Sequence, residues 1–383
     1  MSKIWCTLQV STISRFLAQA AANVLCVQPR LWLGGLYNRT PINFSSKLML
    51  SWAPAIQELG LHHKHCAGSA HFASAATQLT SVRLAVSDLV TCTHADFLLE
   101  QCRQLQTLYW TVGSAPTLPT AIPHSLTGLT VNLSYMSAGN QARWDSRLLN
   151  AMMLRLARLP HLHDLTLELG TSAVLPTSET IPCLRSLTVS FGLTMRKCMD
   201  LGWLQAQQCN KLHVHVTAIG DDVRALQQTA DQLLRLQLHE LRLSYTELAT
   251  EQLRMWQGIR AAHRCSLTLR NLTGSVSHMP GGAELRVHVR ASLGNIQISW
   301  ESLLLAADRV LISYESTQHI LSFGSPGSMM HAQALCRPWQ ISVHAATAPD
   351  GFPAIEAIRP GVYFWQNQAA ATAGWSMTNC GVP

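Results

Sequence analysis

The sequence has few charged residues and no long apolar run. Only 13% of its 383 residues are charged, and no stretch of eighteen uncharged apolar residues occurs. A helix that spans a bilayer needs about 20 such residues, so we expect no membrane insertion. Hydrophobic residues nevertheless make up 48% of the chain. That fraction is too high for a disordered protein and favours a folded one.

The eleven cysteines include no Cys-x-x-Cys pair. Several of them, such as Cys183, Cys209 and Cys265, stand where a small apolar residue would serve. This usage is typical of a reducing compartment, in which free cysteine packs as a small hydrophobic residue. We therefore predict an intracellular protein of the cytoplasm or nucleus without a disulfide framework.

Acidic residues are absent before Glu58. Within this basic segment Ile13, Phe16, Leu17 and Val24 belong to an amphipathic helical stripe. The stripe predicts a helix in residues 1–26 that covers the open end of a repeat array. An acid-free amphipathic start is also typical of an organelle transit segment, and that alternative stays open.

Signatures of catalysis and of cofactor binding are missing. The chain has no G-x-S-x-G elbow, no phosphate-binding loop, no H-E-x-x-H and no dinucleotide glycine fingerprint. We therefore expect neither enzymatic activity nor a cofactor. His62, His63, His65 and Cys66, with His71 nearby, could suit zinc by residue type, but no second pair of ligands accompanies them. We expect no metal there.

The dominant pattern is apolar-x-x-apolar-x-apolar with non-apolar residues at x. Eight strict matches occur, against roughly one expected by chance from the composition. They begin at Ile56, Leu79, Leu126, Leu162, Leu184, Cys209, Leu238 and Leu293. With looser copies included, most successive units from position 31 to position 267 are 21 to 29 residues apart. One step of 36 residues contains an insertion around residues 137–144.

Each match predicts a short strand whose alternate residues point into a shared core. Helices are predicted between strands at residues 145–159, 221–234 and 250–262 from their apolar stripes. Strand, loop and returning helix in repetition predict an α/β solenoid, with parallel strands on its concave face and helices and loops on its convex face. We expect the capping helix at residues 1–26, the solenoid at 27–315 and a C-terminal cap and tail at 316–383. Short strands are predicted in the cap at residues 339–343 and 362–365.

This pattern resembles the leucine-rich-repeat superfamily, and its irregular units are similar to those of the ribonuclease-inhibitor-like branch. That branch includes the repeat halves of F-box proteins. The asparagine that follows the last strand leucine in the family is replaced here, for example by Ser87, Gly113 and Gly170. The resemblance implies a curved solenoid with irregular repeats. Residues before the first strand show no F-box pattern.

The predicted binding surface is the concave strand face. Its C-terminal half is basic, with Glu240 and Glu284 interspersed, and its other end offers an arginine and aromatic residues, Trp32 among them. The candidate binding residues are Arg83, Tyr109, His213, His215, Arg242, Arg270, Arg286 and His288. Arginine side chains of this kind could bind carboxylates or phosphates.

The functional hypothesis is a non-enzymatic scaffold that recognises a protein partner, acidic if the basic half is used. An alternative is the substrate-recognition subunit of an F-box-type ubiquitin ligase, which would require an adaptor-binding helix pair within residues 1–50. A weaker alternative is binding of nucleic acid or another acidic ligand by the basic half. The net charge of +7 permits an acidic partner but does not require nucleic acid.

Overall fold

A computed structural model describes the parts of the chain that form the sheet and its connecting helices. The described residues are 30–33, 47–62, 69–86, 89–112, 119–133, 146–170, 180–193, 200–218, 223–245, 250–270, 274–276, 279–290, 296–298, 306–314, 342–349 and 353–358. The predicted N-terminal helix, residues 63–66 of the histidine cluster and the predicted strand at 362–365 lie outside them.

The fold is α/β and solenoid-like, because one long sheet grows by one strand at a time along the chain. Its first twelve strands are all parallel, in the order β1 to β10, then β12 and β14. The strands are β1 (Arg30–Leu33), β2 (Glu58–His62), β3 (Ser81–Val86), β4 (Thr107–Val112), β5 (Gly128–Asn132), β6 (Asp164–Glu168), β7 (Ser186–Leu193), β8 (Lys211–Ala218), β9 (Leu238–Tyr245), β10 (Arg260–Arg270), β11 (Gly274–Val276), β12 (Gly281–Arg290), β13 (Ile296–Ile298) and β14 (Ala307–Tyr314). A separate pair is formed by β11 and β13.

The strands form at the positions that the apolar pattern predicts. Leu59, Val82, Leu129, Leu165 and Leu187 occupy the middle apolar place of their strands, and all are buried. Exposed or partly exposed residues alternate with them, as in β4 and β6. Because side chains of a strand point to opposite faces in turn, one face supplies a continuous apolar core and the other a polar surface. The match that begins at Leu293 yields β13, which lies outside the long sheet.

Helices occupy several of the connections between strands. They are α1 (Lys47–Trp52), α2 (Ser69–Ala75), α3 (Leu89–Gln101), α4 (Ser146–Leu156), α5 (Gly202–Ala206) and α6 (Val223–Leu233), with short 3₁₀ helices at Ala53–Ala55 and Thr250–Trp256. The predicted helices at 145–159 and 221–234 correspond to α4 and α6. Leu149, Met153 and Leu156 of α4 and Leu226 and Leu233 of α6 are buried against the core. None of the helices among the described residues has the length and apolar character needed to cross a membrane.

The predicted helix at 250–262 is wrong in its second half. The chain forms a 3₁₀ helix only as far as Trp256, and β10 already begins at Arg260. Between them Gly258 adopts a φ of 91°, in the left-handed region that glycine enters without steric cost and that ends a helix. Leu253, Trp256 and Ile259 are still buried, so the apolar stripe was real although the conformation differs.

The strand register changes at two places along the parallel sheet, between β8 and β9 and at a bulge in β10. From β1 to β8 the middle apolar residues face one another in a continuous row, ending with Leu187 opposite Leu212. At the next step Leu241 faces Val214 and not Leu212. His213 and Arg242 occupy the same place in the repeat pattern, but the structure pairs His213 with Glu240 and Arg242 with His215. An offset of two residues preserves the pointing direction of every side chain, because strand faces alternate with period two.

The C-terminal edge of the sheet changes direction. Here β15 (Ser342–Thr347) and β16 (Pro353–Ile358) follow, and β16 pairs antiparallel with both β14 and β15. Leu311, Ala348 and Ala354 form a small buried cluster apart from the main core. Of the strand predicted at 339–343, residues 342 and 343 belong to β15, which continues to Thr347, and residues 339–341 lie outside the described ones.

Candidate functional site

The candidate site is the polar face of the long sheet. We use that name for the face built from two neighbouring rows of residues that face one another across the strands. The upper row is Arg83, Tyr109, Thr130, Thr166, Thr188, His213, Glu240, Arg264, Glu284 and Arg309. The lower row includes Asn132, Glu168, Ser190, His215, Arg242, Ser266, Arg286, Leu311 and Glu356.

The N-terminal part of this face holds a cluster around Tyr109. The guanidinium carbon of Arg83 lies 5.4 Å from the centroid of the Tyr109 ring, a cation–π arrangement. Arg83 Nε also lies 3.1 Å from Glu58 Oε1. On the other side Asn132 Nδ2 donates to the Tyr109 hydroxyl at 2.8 Å and also to Glu168. Two predicted residues, Arg83 and Tyr109, are thus in direct contact and held by their neighbours.

The middle of the face is lined by small hydroxyl residues. Thr130, Thr166 and Thr188 face one another across β5, β6 and β7, and all three are partly exposed. These threonines lie between Arg83 and Tyr109 on one side and the charged C-terminal part on the other, with Asp164 and Glu168 beside Thr166 on β6. The register places the three threonines side by side on neighbouring strands.

The C-terminal part of the face is a ladder in which carboxylates and cations alternate. We call the glutamate ladder the set His213, Glu240, Arg264, Glu284, Arg309 and Glu356. Glu240 Oε2 lies 3.0 Å from Nδ1 of His213, and Glu240 Oε1 lies 3.5 Å from Nη1 of Arg264. Glu284 lies 3.8 Å from Nε of Arg264 and 3.9 Å from Nη1 of Arg309, which also pairs with Glu356.

Two further arginines stand beside the ladder. Arg242 Nε donates to Glu240 Oε1 at 3.0 Å, and Arg286 Nε donates to Glu284 Oε1. The carboxylate side chains are almost inaccessible, with 8% and 5% of their surfaces exposed for Glu240 and Glu284. The predicted residues Arg242 and Arg286 therefore lie above buried acids.

The environment keeps Glu240 ionised. Burial by itself raises the pKa of this carboxyl group, but the hydrogen bonds from His213 and Arg242 and the charges of Arg242 and Arg264 outweigh burial. The resulting pKa of Glu240 is about 2. Glu240 is therefore charged throughout the physiological pH range, and its negative charge holds Arg242 and Arg264 beside it.

Histidines contribute less positive charge than residue type implies. Burial, followed by the charge of Arg242, lowers the pKa of His215 to about 4, so this predicted residue is neutral near pH 7. The pKa of His239 is lowered as well, first by burial and then by His213 and His263. The His239 ring stacks at 5.3 Å on that of His263, which lies in a β-bulge of β10.

The remaining predicted residues, His288 and Arg270, occupy positions beyond the lower row, nearer the ends of their strands. His288 Nδ1 is 2.8 Å from the hydroxyl oxygen of Ser313. Arg270 faces Arg290 across β10 and β12. Sequence reasoning did not select Arg264, Arg309, Glu356 or Asn132. Arg264 was hidden because the bulge at residues 262–263 interrupts the alternation. Arg309 could have been found by extending the alternation backward from Val310 and Ile312.

A groove of about 730 Å³ opens elsewhere, at the start of strands β9, β10, β12 and β14. Arg260 and Asp308 are the charged residues in its lining, and none of the predicted binding residues borders it. Across the described ranges, no group of three or more histidine, cysteine, aspartate or glutamate residues is arranged to hold a metal ion. The polar face therefore concentrates the recognisable chemistry of the described structure.

No protein-family model matches the sequence, and no curated protein matches it at a significant level. Inference about function therefore rests on the residues of the polar face.

Proposed function

We propose that the chain is a non-catalytic, leucine-rich-repeat-type scaffold that binds a partner protein on the polar face. The observation that carries this proposal is the row from Arg83 to Arg309, which crosses ten strands with each residue opposite the next. Adjacent strands are about 4.8 Å apart, so such a row presents a long, contiguous surface of side chains.

The repeat-type assignment is supported by spacing and burial together. Strands follow one another at steps of mostly 21 to 29 residues, the range of leucine-rich repeats. Most apolar places that the repeat pattern requires are buried, such as Leu79, Val82 and Leu84 in one unit, and Cys209 is partly buried. A solenoid of this class typically binds its partners across the exposed strand face.

The composition of the polar face suits protein recognition. Tyrosine and arginine dominate the energetics of protein interfaces, and Tyr109 with Arg83 provides such a pair. Hydrogen bonds and an ion pair hold both side chains, which reduces the entropy lost when a partner binds. The threonine stretch beside them provides hydroxyl groups for hydrogen bonds to a peptide backbone or side chain.

Blocking the middle of the polar face tests the proposal. Proximity labelling in cells would compare the full chain with a Thr130→Arg, Thr166→Arg, Thr188→Arg variant. The control variant is Gln104→Arg, Gln228→Arg, Gln257→Arg, which adds the same charge at exposed positions of the connecting segments. We expect the face variant to lose partners about tenfold, corresponding to a clash of about 1.4 kcal/mol, and the control to retain them. Equal labelling by both variants would contradict the proposal.

A further inference from the structure

Arg242, Ser266 and Arg286 form a symmetrical group in the lower row of the polar face. Ser266 of β10 faces Arg242 on one side and Arg286 on the other. Two strand spacings separate the arginines, so their backbones are about 10 Å apart. Ser266 therefore stands at the register position between the two arginines.

The two arginines of this group are more exposed than the glutamates that they contact. Only 8% and 5% of the Glu240 and Glu284 side chains are exposed, whereas 51% of Arg242 and 28% of Arg286 are exposed. Each arginine uses its Nε to contact the glutamate beneath it. The described residues provide no further hydrogen-bond or ion-pair partner for the terminal amino groups of either arginine. These groups are held in orientation and can form forked contacts with another anion.

The local charge balance leaves a small positive excess. Four arginines, Arg242, Arg264, Arg286 and Arg309, stand against the three carboxylates of the ladder. His215, the neighbour of Arg242 in the row, is neutral at physiological pH. Of the four arginines, Arg242 and Arg286 are the most accessible, with 51% and 28% of their side chains exposed. The two arginines can therefore contact one or two anionic groups of a bound chain at a time.

We propose that Arg242, Ser266 and Arg286 form a docking point for an acidic segment of a partner protein, with two carboxylates that lie on either side of Ser266. This inference rests on the proposed function, since it assigns one end of the partner surface. Nucleic acid is disfavoured by charge, because its affinity depends on neutralising many phosphates in series. Asp164 and Glu168 on the neighbouring part of the face would repel such a strand.

The probe for this docking point is a fluorescent poly-L-glutamate peptide, titrated into the full chain and followed by anisotropy. We expect Arg242→Gln with Arg286→Gln to raise the Kd about tenfold, the combined effect of two partly exposed ion pairs. Arg242→Lys with Arg286→Lys keeps the charge but loses the fork, so an intermediate Kd is expected. The matched control, Arg158→Gln with Arg254→Gln, removes two exposed charges outside the sheet and should leave the Kd unchanged.

Two measurements on the unaltered chain accompany the variants. Poly-L-lysine should not bind, and a uridine oligonucleotide should bind more weakly than poly-L-glutamate. Equal Kd values for the native chain and the glutamine variant would overturn the docking point. Tighter binding of the oligonucleotide, with a steep fall in rising salt, would overturn it in favour of nucleic acid.

The two proposals fail in different ways. If the glutamine variant binds poly-L-glutamate normally while the threonine-to-arginine variant loses its partners, the acidic docking point is wrong and the partner surface stands. If the threonine-to-arginine variant keeps its partners, the partner surface itself is wrong, whatever the peptide shows.

Discussion

Glu58 and Glu284 lie on the same face of the sheet and are both paired with arginines, but their surroundings differ. The partners of Glu58, Arg30 and Arg83, are 68% and 47% exposed. Glu284 lies among Arg264, Arg286 and Arg309, which are at most 28% exposed. In the C-terminal half, arginines face the acid from both neighbouring strands. In the N-terminal half, Glu58 faces Arg30 on one side and Ser81 on the other.

This difference teaches that identical residue types perform different tasks along one face. The C-terminal acids are structural groups that neutralise and orient arginines. The N-terminal acid Glu58 is itself largely covered, with 13% of its side chain exposed, but its arginine partners are open to water. Stability and recognition are therefore expected to respond differently to substitution in the two halves.

The largest expected effect separates the two acids directly. Glu284→Ala should lower the free energy of unfolding by about 3 kcal/mol, because it leaves three arginines around a buried position without their shared carboxylate. Glu58→Ala should cost no more than about 1 kcal/mol, since its partners are exposed to water. Urea denaturation of the two variants measures both values. Equal losses would remove the distinction between the halves.

Acid titration of stability should sharpen the same comparison. The pKa of His215 is lower in the folded chain than in the unfolded chain, where it is near 6.5, so the folded state binds fewer protons. Stability from this group is present above pH 6.5 and is lost as the pH falls toward 4. Glu240, with a folded pKa of about 2, adds a second loss between about pH 4.5 and 2.

Removing one titrating group at a time identifies these two losses. We would measure the free energy of unfolding by urea denaturation at each pH. Between pH 6.5 and 4 we expect the native chain to lose at least about 1 kcal/mol of this free energy, and His215→Asn should lose less. Glu240→Gln should reduce the loss of unfolding free energy between about pH 4.5 and 2. If His215→Asn loses as much unfolding free energy between pH 6.5 and 4 as the native chain, other groups cause that loss.

The smallest expected effect lies in the N-terminal half. Tyr109→Phe removes the hydroxyl that accepts from Asn132 and lies 3.4 Å from Glu168. The expected loss is about 1 kcal/mol, the usual net value of a hydrogen bond. Thermal unfolding compares this variant with Thr166→Val, a control for loss of a hydroxyl on the same face. A loss above that of Glu284→Ala would reverse the order of the two halves.

The repeated apolar pattern was sufficient to predict most strands and two helices. The pattern predicts strands because every second residue of a strand faces the core, so apolar residues recur with a period of two. Leu165 and Leu167 are buried as fully as Leu59 and Leu61. The helix at 250–262 was wrong because the same apolar stripe suits a 3₁₀ turn that ends at a left-handed glycine. Periodicity alone does not distinguish the two conformations.

The candidate site was predictable in residue type but not in arrangement. Arg83, Tyr109, His213 and Arg242 all lie on the polar face, as alternation requires. Their neighbours depend on register, which the offset between β8 and β9 and the bulge in β10 both alter. Pairing between strands depends on contacts between residues that lie far apart in the sequence. An offset of two residues leaves the alternation of apolar and polar residues unchanged, so the local pattern does not reveal it.

By itself, the sequence determined that the chain builds parallel strands around an apolar core and places arginines, threonines and histidines on the opposite face. Only the tertiary structure decided which charges are neutralised. Glu240, Glu284 and Glu356 are buried because cations on neighbouring strands stand over or beside them, and His215 is neutral because burial and Arg242 oppose its charge. Ionisation and accessibility depend on distances between strands, and those distances exist only after the sheet has formed.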